Sequence, residues 1–437
     1  MFIDDVSNTL NFLVKTSKDI VNYPAIQLKG LMASVKGNAR VLIVTQPAFS
    51  IPTAFVGVYQ QLFIISLGVT PIEYGKLVGL GIGVQLLSFL LGGILADKIG
   101  HKRTHDIFIL TWPLSLTLFA FAQNIWWVIP AVIISNMMNV SSPAWNCLFV
   151  EGIPENKRSN IYAVVHMSLN GGALFLPVAG AVVKMMGFDT ASRVLYLTSA
   201  AMTVVAIIYR WRKLKETSLG EKIRDTSSAL DLYEESRSFG KTFKILMQDK
   251  KIFWYGLVNV IFMLAITMWG AFNSIYLCDP KEIGLDSASI TVFPVIAAMI
   301  FIAAIIVLVP QIKKHNYLKY ISLGILLNAV SATLYIFAPE KNMSFIVLSY
   351  MIYGVGLALF RPLYDARLMN VFKDKERARL YSVYNVIVMG CSIPGGLLSG
   401  YLYTLYPRSL FITTAVLFVI AFWILRNKVE KRSKESN

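Results

Sequence analysis

The sequence predicts an all-α membrane protein, with twelve transmembrane helices arranged as two six-helix pseudo-symmetric bundles. Three observations carry that prediction. Long apolar runs recur along the chain, the basic residues crowd to one side of the implied membrane, and one half echoes the other. The 437 residues are 56% hydrophobic and only 15% charged, with a mean hydropathy of +0.59. A soluble chain of this length needs more ionisable groups to cover its surface, so lipid must cover much of this one.

A bilayer core of about 30 Å takes roughly 20 predominantly apolar residues per helix. Runs of that kind fall near 41–67, 76–96, 105–123, 125–148, 160–183 and 191–210. A second set falls near 252–278, 287–310, 318–338, 344–366, 380–404 and 409–426. The chain divides accordingly into a tail (1–40), a first bundle (41–210), a central loop (211–251), a second bundle (252–427) and a closing tail (428–437). The start, Met1 to Asp5, has no basic n-region and no compact apolar h-region, so no cleavable signal peptide is expected. Val6, Leu10, Leu13 and Val14 share a helical face, which reads as a surface-lying amphipathic helix or as part of a solvated tail.

The net charge of +16 would suit a nucleic-acid binder if it covered a soluble face. Its placement says otherwise. With both termini on the same side, 35 of the 41 Lys and Arg fall in the tails and the even-to-odd loops. Lys76, Lys184, Arg193, Lys281, Lys341 and Arg408 make up the other side. Such a bias marks the basic side as cytoplasmic, so both termini are expected in the cytoplasm and the protein in the plasma membrane. No nucleic-acid partner is expected. Cys147, Cys278 and Cys391 lie far apart and carry neither a disulfide framework nor a metal spacing.

The repeat appears at a constant offset of 219 residues: Pro143 matches Pro362, Arg158 matches Arg377, Tyr162 matches Tyr381 and Gly171 matches Gly390. His166 falls on Asn385 in the same register. Six spans per half give the halves the same orientation, a parallel repeat about an axis along the membrane normal. Within the central loop, Gly240-Lys241-Thr242 has the ending of a phosphate-binding P-loop. The glycine required five positions earlier is Glu235 and no strand precedes it, which excludes nucleotide binding there.

Between the second and third spans stands Gly93-Ile94-Leu95-Ala96-Asp97-Lys98-Ile99-Gly100-His101-Lys102-Arg103. This segment resembles the cytoplasmic loop signature of the major facilitator superfamily, G-x-L-a-D-r-x-G-r-k-r, with Lys98 and His101 as its departures. The resemblance extends from about Arg40 through the twelve spans, long central loop and half-repeat. Gly93 is expected to let the second helix approach a neighbour closely, and Gly100 to supply the positive φ of a tight turn. The resemblance places Asp97 near the start of the eleventh helix, where the helix dipole and Arg377 or Arg379 would attract it. Gly93, Asp97, Gly100, Lys102, Arg103, Arg377 and Arg379 form the expected gating set. In the second half, Gln311 to Asn316 has lost the Asp and the glycines, so any latch is one-sided.

The resemblance also implies that spans 1, 4, 7 and 10 face a central cavity and that spans 3, 6, 9 and 12 face lipid. The twelfth, Phe411 to Leu425, is almost purely apolar. Span 1 carries Gln46, Tyr59, Gln60 and Gln61, with Pro47 and Pro52 expected to kink it. Span 4 carries Asn136 and Asn139, span 5 His166 and Asn170, span 7 Asn259 and Asn273, and span 11 Asn385. Arg361 and Asp365 on span 10 stand one helical turn apart and can pair. The candidate substrate or coupling residues are therefore Gln46, Tyr59, Asn139, His166, Asn170, Asn259, Asn273, Arg361, Asp365 and Asn385. Interhelical hydrogen bonding competes with substrate contact for each lone amide. Tyr59, Trp254 and Trp269 read more readily as packing or interface anchors than as ligand stackers.

The expected function is secondary active transport of a small solute by alternating access, with proton-coupled export of a neutral or amphipathic compound the leading form. A facilitative or import carrier is the alternative, and a non-transporting sensor or assembly protein the rival of another class. Asp365, His166 and Glu151 are the groups that could carry a proton. Gly171 to Gly180 partly resembles the antiporter signature of drug exporters, though Leu176 and Ala181 replace two of its glycines. No mid-cavity arginine pair suited to organic phosphates is present. Neither a metal-ligand cluster nor a serine or cysteine beside an obvious base occurs, so no enzyme, cofactor or metal site is expected. The expected partners are a small-molecule substrate, protons as the coupling ion and the bilayer, around a monomer.

Overall fold

The structure, a computed structural model, describes residues 35–151, 153, 165, 168–218, 220–221, 232–371 and 377–430. Among these residues, twelve helices are long and apolar enough to cross a membrane. The first six are α1 Gly37–Ser66, α2 Pro71–Ile99, α3 His101–Phe121, α4 Ile125–Val150, α5 Ser168–Met186 and α6 Phe188–Lys213. The second six are α7 Lys250–Cys278, α8 Ser289–Gln311, α9 Tyr317–Ile336, α10 Met343–Leu368, α11 Val383–Leu405 and α12 Pro407–Val429. The described residues contain no strand. The surface helix expected near Val6 to Val14 lies outside them, as do Arg158 and Tyr162 of the repeat.

Helix ends run past the apolar stretches because capping, rather than hydrophobicity, sets them. Thr70 and Glu73 form a reciprocal capping box with Pro71 in the first turn. The box starts α2 five residues before its apolar run, since it satisfies donors that the helix start leaves open. Asp249 caps α7 by accepting from the backbone N–H of Lys251 and Ile252. Prolines shape the interiors. The helix breaks at Gln46 before Pro47, at Ile109–Leu110 before Pro113, and tightens to 3₁₀ turns before Pro143 and Pro177. Each ring lacks an N–H and crowds the carbonyl one turn earlier. Pro362, the repeat partner of Pro143, sits inside an unbroken helix.

The central segment is more structured than a plain loop. It contains the helix Leu232–Gln248, whose Lys241 and Lys244 are exposed while Thr242 and Leu246 are buried. Gly240-Lys241-Thr242 lies on this helix, not on a phosphate-binding turn. Ahead of it the chain straps onto the first bundle: Asn38 exchanges two hydrogen bonds with the Lys215 backbone, and Ser218 donates twice to Glu151.

As expected of spans that turn to lipid, α6 and α9 expose apolar side chains outward, among them Val205 and Ile208 on α6 and Leu326 and Val330 on α9. They bury Ser199, Thr203 and Arg210, and Asn328 and Ser331, respectively, against the bundles. The least buried span is α8, whose side chains are apolar on every face, and it packs on α10, where a Cβ on Gly354 would lie 2.8 Å from the Ala297 oxygen.

Candidate functional site: a closed face, an open face and a polar cluster between them

The bundles meet most closely on the face opposite the basic loops. There α2 and α11 touch backbone to backbone at glycines. A Cβ on Gly75 would lie 2.7 Å from the Gly396 carbonyl oxygen, one on Gly396 would lie 2.6 Å from the Gly79 nitrogen, and one on Gly400 would lie 2.5 Å from the Pro71 oxygen. Gly75/Gly79 and Gly396/Gly400 are both small-xxx-small pairs, the spacing that lets membrane helices approach this closely. Alongside, α5 meets the start of α8, where a Cβ on Gly180 would stand 2.9 Å from the Ala288 oxygen. Tyr74 of α2 packs edge-on against Phe272 of α7, with ring centroids 5.3 Å apart.

Gln61 fastens α1 to α7 on this face. Its Nε2 donates to the Gly270 carbonyl at 2.6 Å, and its Oε1 accepts from the Ser274 N–H at 3.0 Å. Gly270 and Ser274 are the acceptor and donor of one helical i→i−4 pair, so the side-chain amide bridges that pair across the interface. Replacing it need not unfold α7, because the two groups can bond each other. Each neutral hydrogen bond contributes about 0.5–1.5 kcal/mol net. Gln61→Leu should therefore weaken closure of this face by about 2 kcal/mol, roughly thirtyfold in population. Spin-label distances across the face read the change.

Asp286 fixes the loop that enters α8. It accepts from the N–H groups of Ala288 (2.8 Å) and Ser289 (3.2 Å) and from the Ser289 hydroxyl. The Ser289 hydroxyl bond, the two backbone donors and the cation of Lys184 on α5 hold its carboxyl below the usual aspartate range. A lowered folded pKa means that the contribution is complete above the ordinary aspartate pKa and is lost only as pH falls through the lowered value. Closure by this loop should thus be constant from pH 5 to 8. Asp286→Ala, which removes the cap, should cost about 1 kcal/mol in a thermal melt.

At the basic-loop ends of α4 and α10, no comparable pairing joins the two bundles among the described residues. The interior opens there, and Asn146 and Cys147 on α4 are exposed. On α10, Arg361 Nε stands 3.5 Å from Asp365 Oδ2, with both side chains close to half exposed. Arg361 also reaches the Met263 sulfur of α7 at 3.1 Å. Behind this pair lies a buried tyrosine layer. Tyr364 donates to the Tyr255 carbonyl at 2.8 Å, its oxygen is 2.7 Å from that of Tyr384, and its ring stacks on Tyr255 at 4.3 Å. Asn259 is buried on α7 near the Tyr384 hydroxyl, and Arg361 and Asp365 also lie near that hydroxyl. Three expected residues, Asn259, Arg361 and Asp365, are thus brought together from α7 and α10. Asn385 follows Tyr384 on α11 and is half-buried.

The other candidates lie apart from this cluster. Gln46 lines a pocket inside the first bundle. Tyr59 is buried against Phe188 of α6, ring edge to face at 5.9 Å. Asn139 donates to the Asn136 carbonyl at 3.0 Å and faces Gln85 of α2 at 3.5 Å. Asn273 bonds the hydroxyls of Tyr335 and Tyr350 within the second bundle. Asn170 is half-buried on α5, and His166 lies outside the described residues. Trp269 packs among Tyr335, Tyr353 and Phe411.

In the expected gating loop, Gly100 adopts φ +93, as its turn requires. The close helix contact belongs to Gly92 rather than Gly93. A Cβ on Gly92 would sit 2.4 Å from the Val140 oxygen, whereas Gly93 faces open space. Helix rotation decides this, since adjacent residues point about 100° apart. Lys102 pairs with Asp106 at 2.5 Å, and its N–H donates to the Glu216 carboxylate. His101 Nδ1 meets the Thr217 hydroxyl at 2.5 Å. Glu216, an acid in a basic stretch, therefore caps the start of α3 and ties the loop to the central segment. Arg103 is exposed. Asp97 is also exposed, without a hydrogen bond or ion pair among the described residues. The side chains of Arg377 and Arg379 lie outside the description.

The model of the Major Facilitator Superfamily matches residues 42–315 and 281–437 of the chain. The quinolone resistance protein NorA of Staphylococcus aureus (strain MSSA476) is 19% identical over 339 residues, 75% of this chain and 81% of that protein. A Na(+), Li(+), K(+)/H(+) antiporter of Planococcus maritimus is 27% identical over 185 residues, 40% of each chain. The crystal structure of the nucleoside transporter NupG superposes with a TM-score of 0.69 at 14% identity, covering 91% of this chain and 99% of that one.

Proposed function

The chain belongs to the major facilitator superfamily and is a secondary active transporter, and we propose that it exports a neutral or amphipathic compound in exchange for protons. In this reading the protein is a plasma-membrane monomer with its basic face and both termini in the cytoplasm, as the distribution of Lys and Arg supports. One observation carries the mechanism. The close contacts between the bundles gather on the face away from the basic loops, at Gly75, Gly396, Gly400, Gln61 and Gly180. The arrangement is one end state of an alternating cycle, open to the cytoplasm and shut to the outside. Rocking the bundles about the middle would exchange the open face for the closed one.

The polar cluster supplies a place for solute and proton. Arg361 and Asp365 border the open interior, and Tyr384 and Asn259 offer a hydroxyl and an amide behind them. A proton on Asp365 would release Arg361 from its pair, which couples charge to the shape of the site. Export is favoured by the likeness to a quinolone resistance protein and to a cation/proton antiporter, as those proteins are named. The test uses purified protein in liposomes, with an imposed pH gradient and fluorescent amphipathic probes of either charge and of none. Probe movement against its gradient, collapsing with the pH gradient, is expected. Asp365→Asn should reduce it at least tenfold. Probe flux that ignores the pH gradient would reject proton coupling and leave facilitated diffusion.

A further inference from the structure

The first bundle contains a second polar site, walled by residues of that bundle alone. A cavity of about 270 Å³ lies among α1, α3, α4, α5 and α6, with its mouth beside the exposed residues Asn146 and Leu169. Its walls are mostly apolar, and two buried basic side chains stand in them. Arg210 of α6 is 2% exposed and His105 of α3 is 1% exposed. The guanidinium donates from Nε to the Thr45 hydroxyl at 2.8 Å and from one Nη to the Leu42 carbonyl at 3.5 Å, and it lies 4.2 Å above the Phe49 ring. No carboxylate pairs with it among the described residues, where every other recorded ion pair involves different groups. An arginine has five N–H donors in a planar fork, so donors remain for another acceptor. Both ring nitrogens of His105 are buried without a hydrogen-bond partner among the described residues.

A buried cation without a counter-ion, beside an imidazole without a hydrogen bond, is costly unless a ligand completes the site. We infer that this pocket binds the carboxylate or phosphate group of an amphipathic anion. The fork of Arg210 would hold the anionic oxygens, the His105 ring would donate one further bond, and Phe49, Ile109 and Trp145 would meet the apolar part. The volume lies just below the roughly 300–1,000 Å³ of drug-sized pockets, which fits a headgroup or a small organic acid. The source is either a lipid headgroup entering from the bilayer or a free anion entering from the open face. Nothing in the inference depends on what is transported or in which direction.

The experiment measures binding to the purified full-length protein in phosphatidylcholine nanodiscs. Hexyl phosphate is expected to raise Tm by about 3 °C at saturation, and hexylammonium should leave it unchanged. Arg210→Gln should weaken hexyl phosphate binding at least tenfold, and His105→Gln a few-fold. Ser142→Phe, which fills the cavity without touching the cation, should weaken it as much as Arg210→Gln. It keeps the test alive if loss of the arginine prevents folding. Inorganic phosphate acting in the same nanodiscs identifies a free anion as the source. Phosphatidylglycerol retained by wild type but not by Arg210→Gln, in native mass spectrometry, identifies a lipid. Absence of any anion-dependent shift, or equal binding by wild type and Ser142→Phe, would overturn the inference.

Discussion

Gly396→Val is expected to hold the far face open and to cut transport at least tenfold while folded protein remains in the membrane. A Cβ at this position would lie 2.6 Å from the Gly79 nitrogen and 2.9 Å from Val78 Cγ1. Backbone cannot yield as a flexible side chain can, so α2 and α11 must separate. Packed interfaces respond to such an insertion by switching between arrangements rather than by small deformation. A tenfold change in the balance of two states needs only about 1.4 kcal/mol, and overpacking of this kind costs about 1–3 kcal/mol. Gly93→Ala, a methyl facing open space, is the matched control and should transport normally. Wild-type transport by Gly396→Val would show that this face does not control the cycle.

The second large effect is expected at Asp97, with the opposite sign. In the state described, Asp97 is exposed and makes no bond among the described residues, so its neutralisation should not unsettle this state. We propose that its contribution is made when the basic face closes and the start of α11 approaches with its dipole and Arg377 or Arg379. A carboxylate at a helix start contributes about 0.3–2 kcal/mol, and an ion pair adds to it. Asp97→Asn should therefore enrich the arrangement seen here and slow transport about tenfold, with unchanged expression. Because Gly396→Val disfavours the same arrangement, the double variant should recover part of the normal balance. The two sites are far enough apart for their effects to add. Transport kinetics of Asp97→Asn equal to wild type would sink the latch.

Features that depend on local chemistry were legible in the sequence. Twelve apolar runs, the positive φ of Gly100 and the i,i+4 pairing of Arg361 with Asp365 each follow from residue types a few positions apart. The parallel halves follow from an offset that places Gly171 on α5 and Gly390 on α11. Features that depend on how one helix is rotated against another were not. Adjacent glycines are interchangeable in the pattern, and only packing shows that Gly92 rather than Gly93 meets α4. Three amides on α1 have similar polarity, yet Gln61 crosses to α7 while Gln46 lines an internal pocket. Asn273 reads as a cavity amide until two tyrosines from α9 and α10 are seen to enclose it. Nothing in the pattern sets the small-xxx-small spacings Gly75/Gly79 and Gly396/Gly400 apart from the chain's other glycines. Their pairing with each other required the fold. Arg210 was masked by its neighbours, since it heads a basic stretch and reads there as a loop charge.

Alternating access exchanges two faces, and one pair of distances measures that exchange. Spin labels at Met185 and Phe337 report the far face, and labels at Arg212 and Lys319 report the basic face, all at exposed positions. The three native cysteines would be replaced by serine and the protein reconstituted in liposomes. Wild type should populate a short far-face distance with a long basic-face distance. Gly396→Val should lengthen the first and shorten the second, and Asp97→Asn should strengthen the wild-type pattern. Two distances that stay fixed in all three proteins, or that lengthen together, would contradict alternating access.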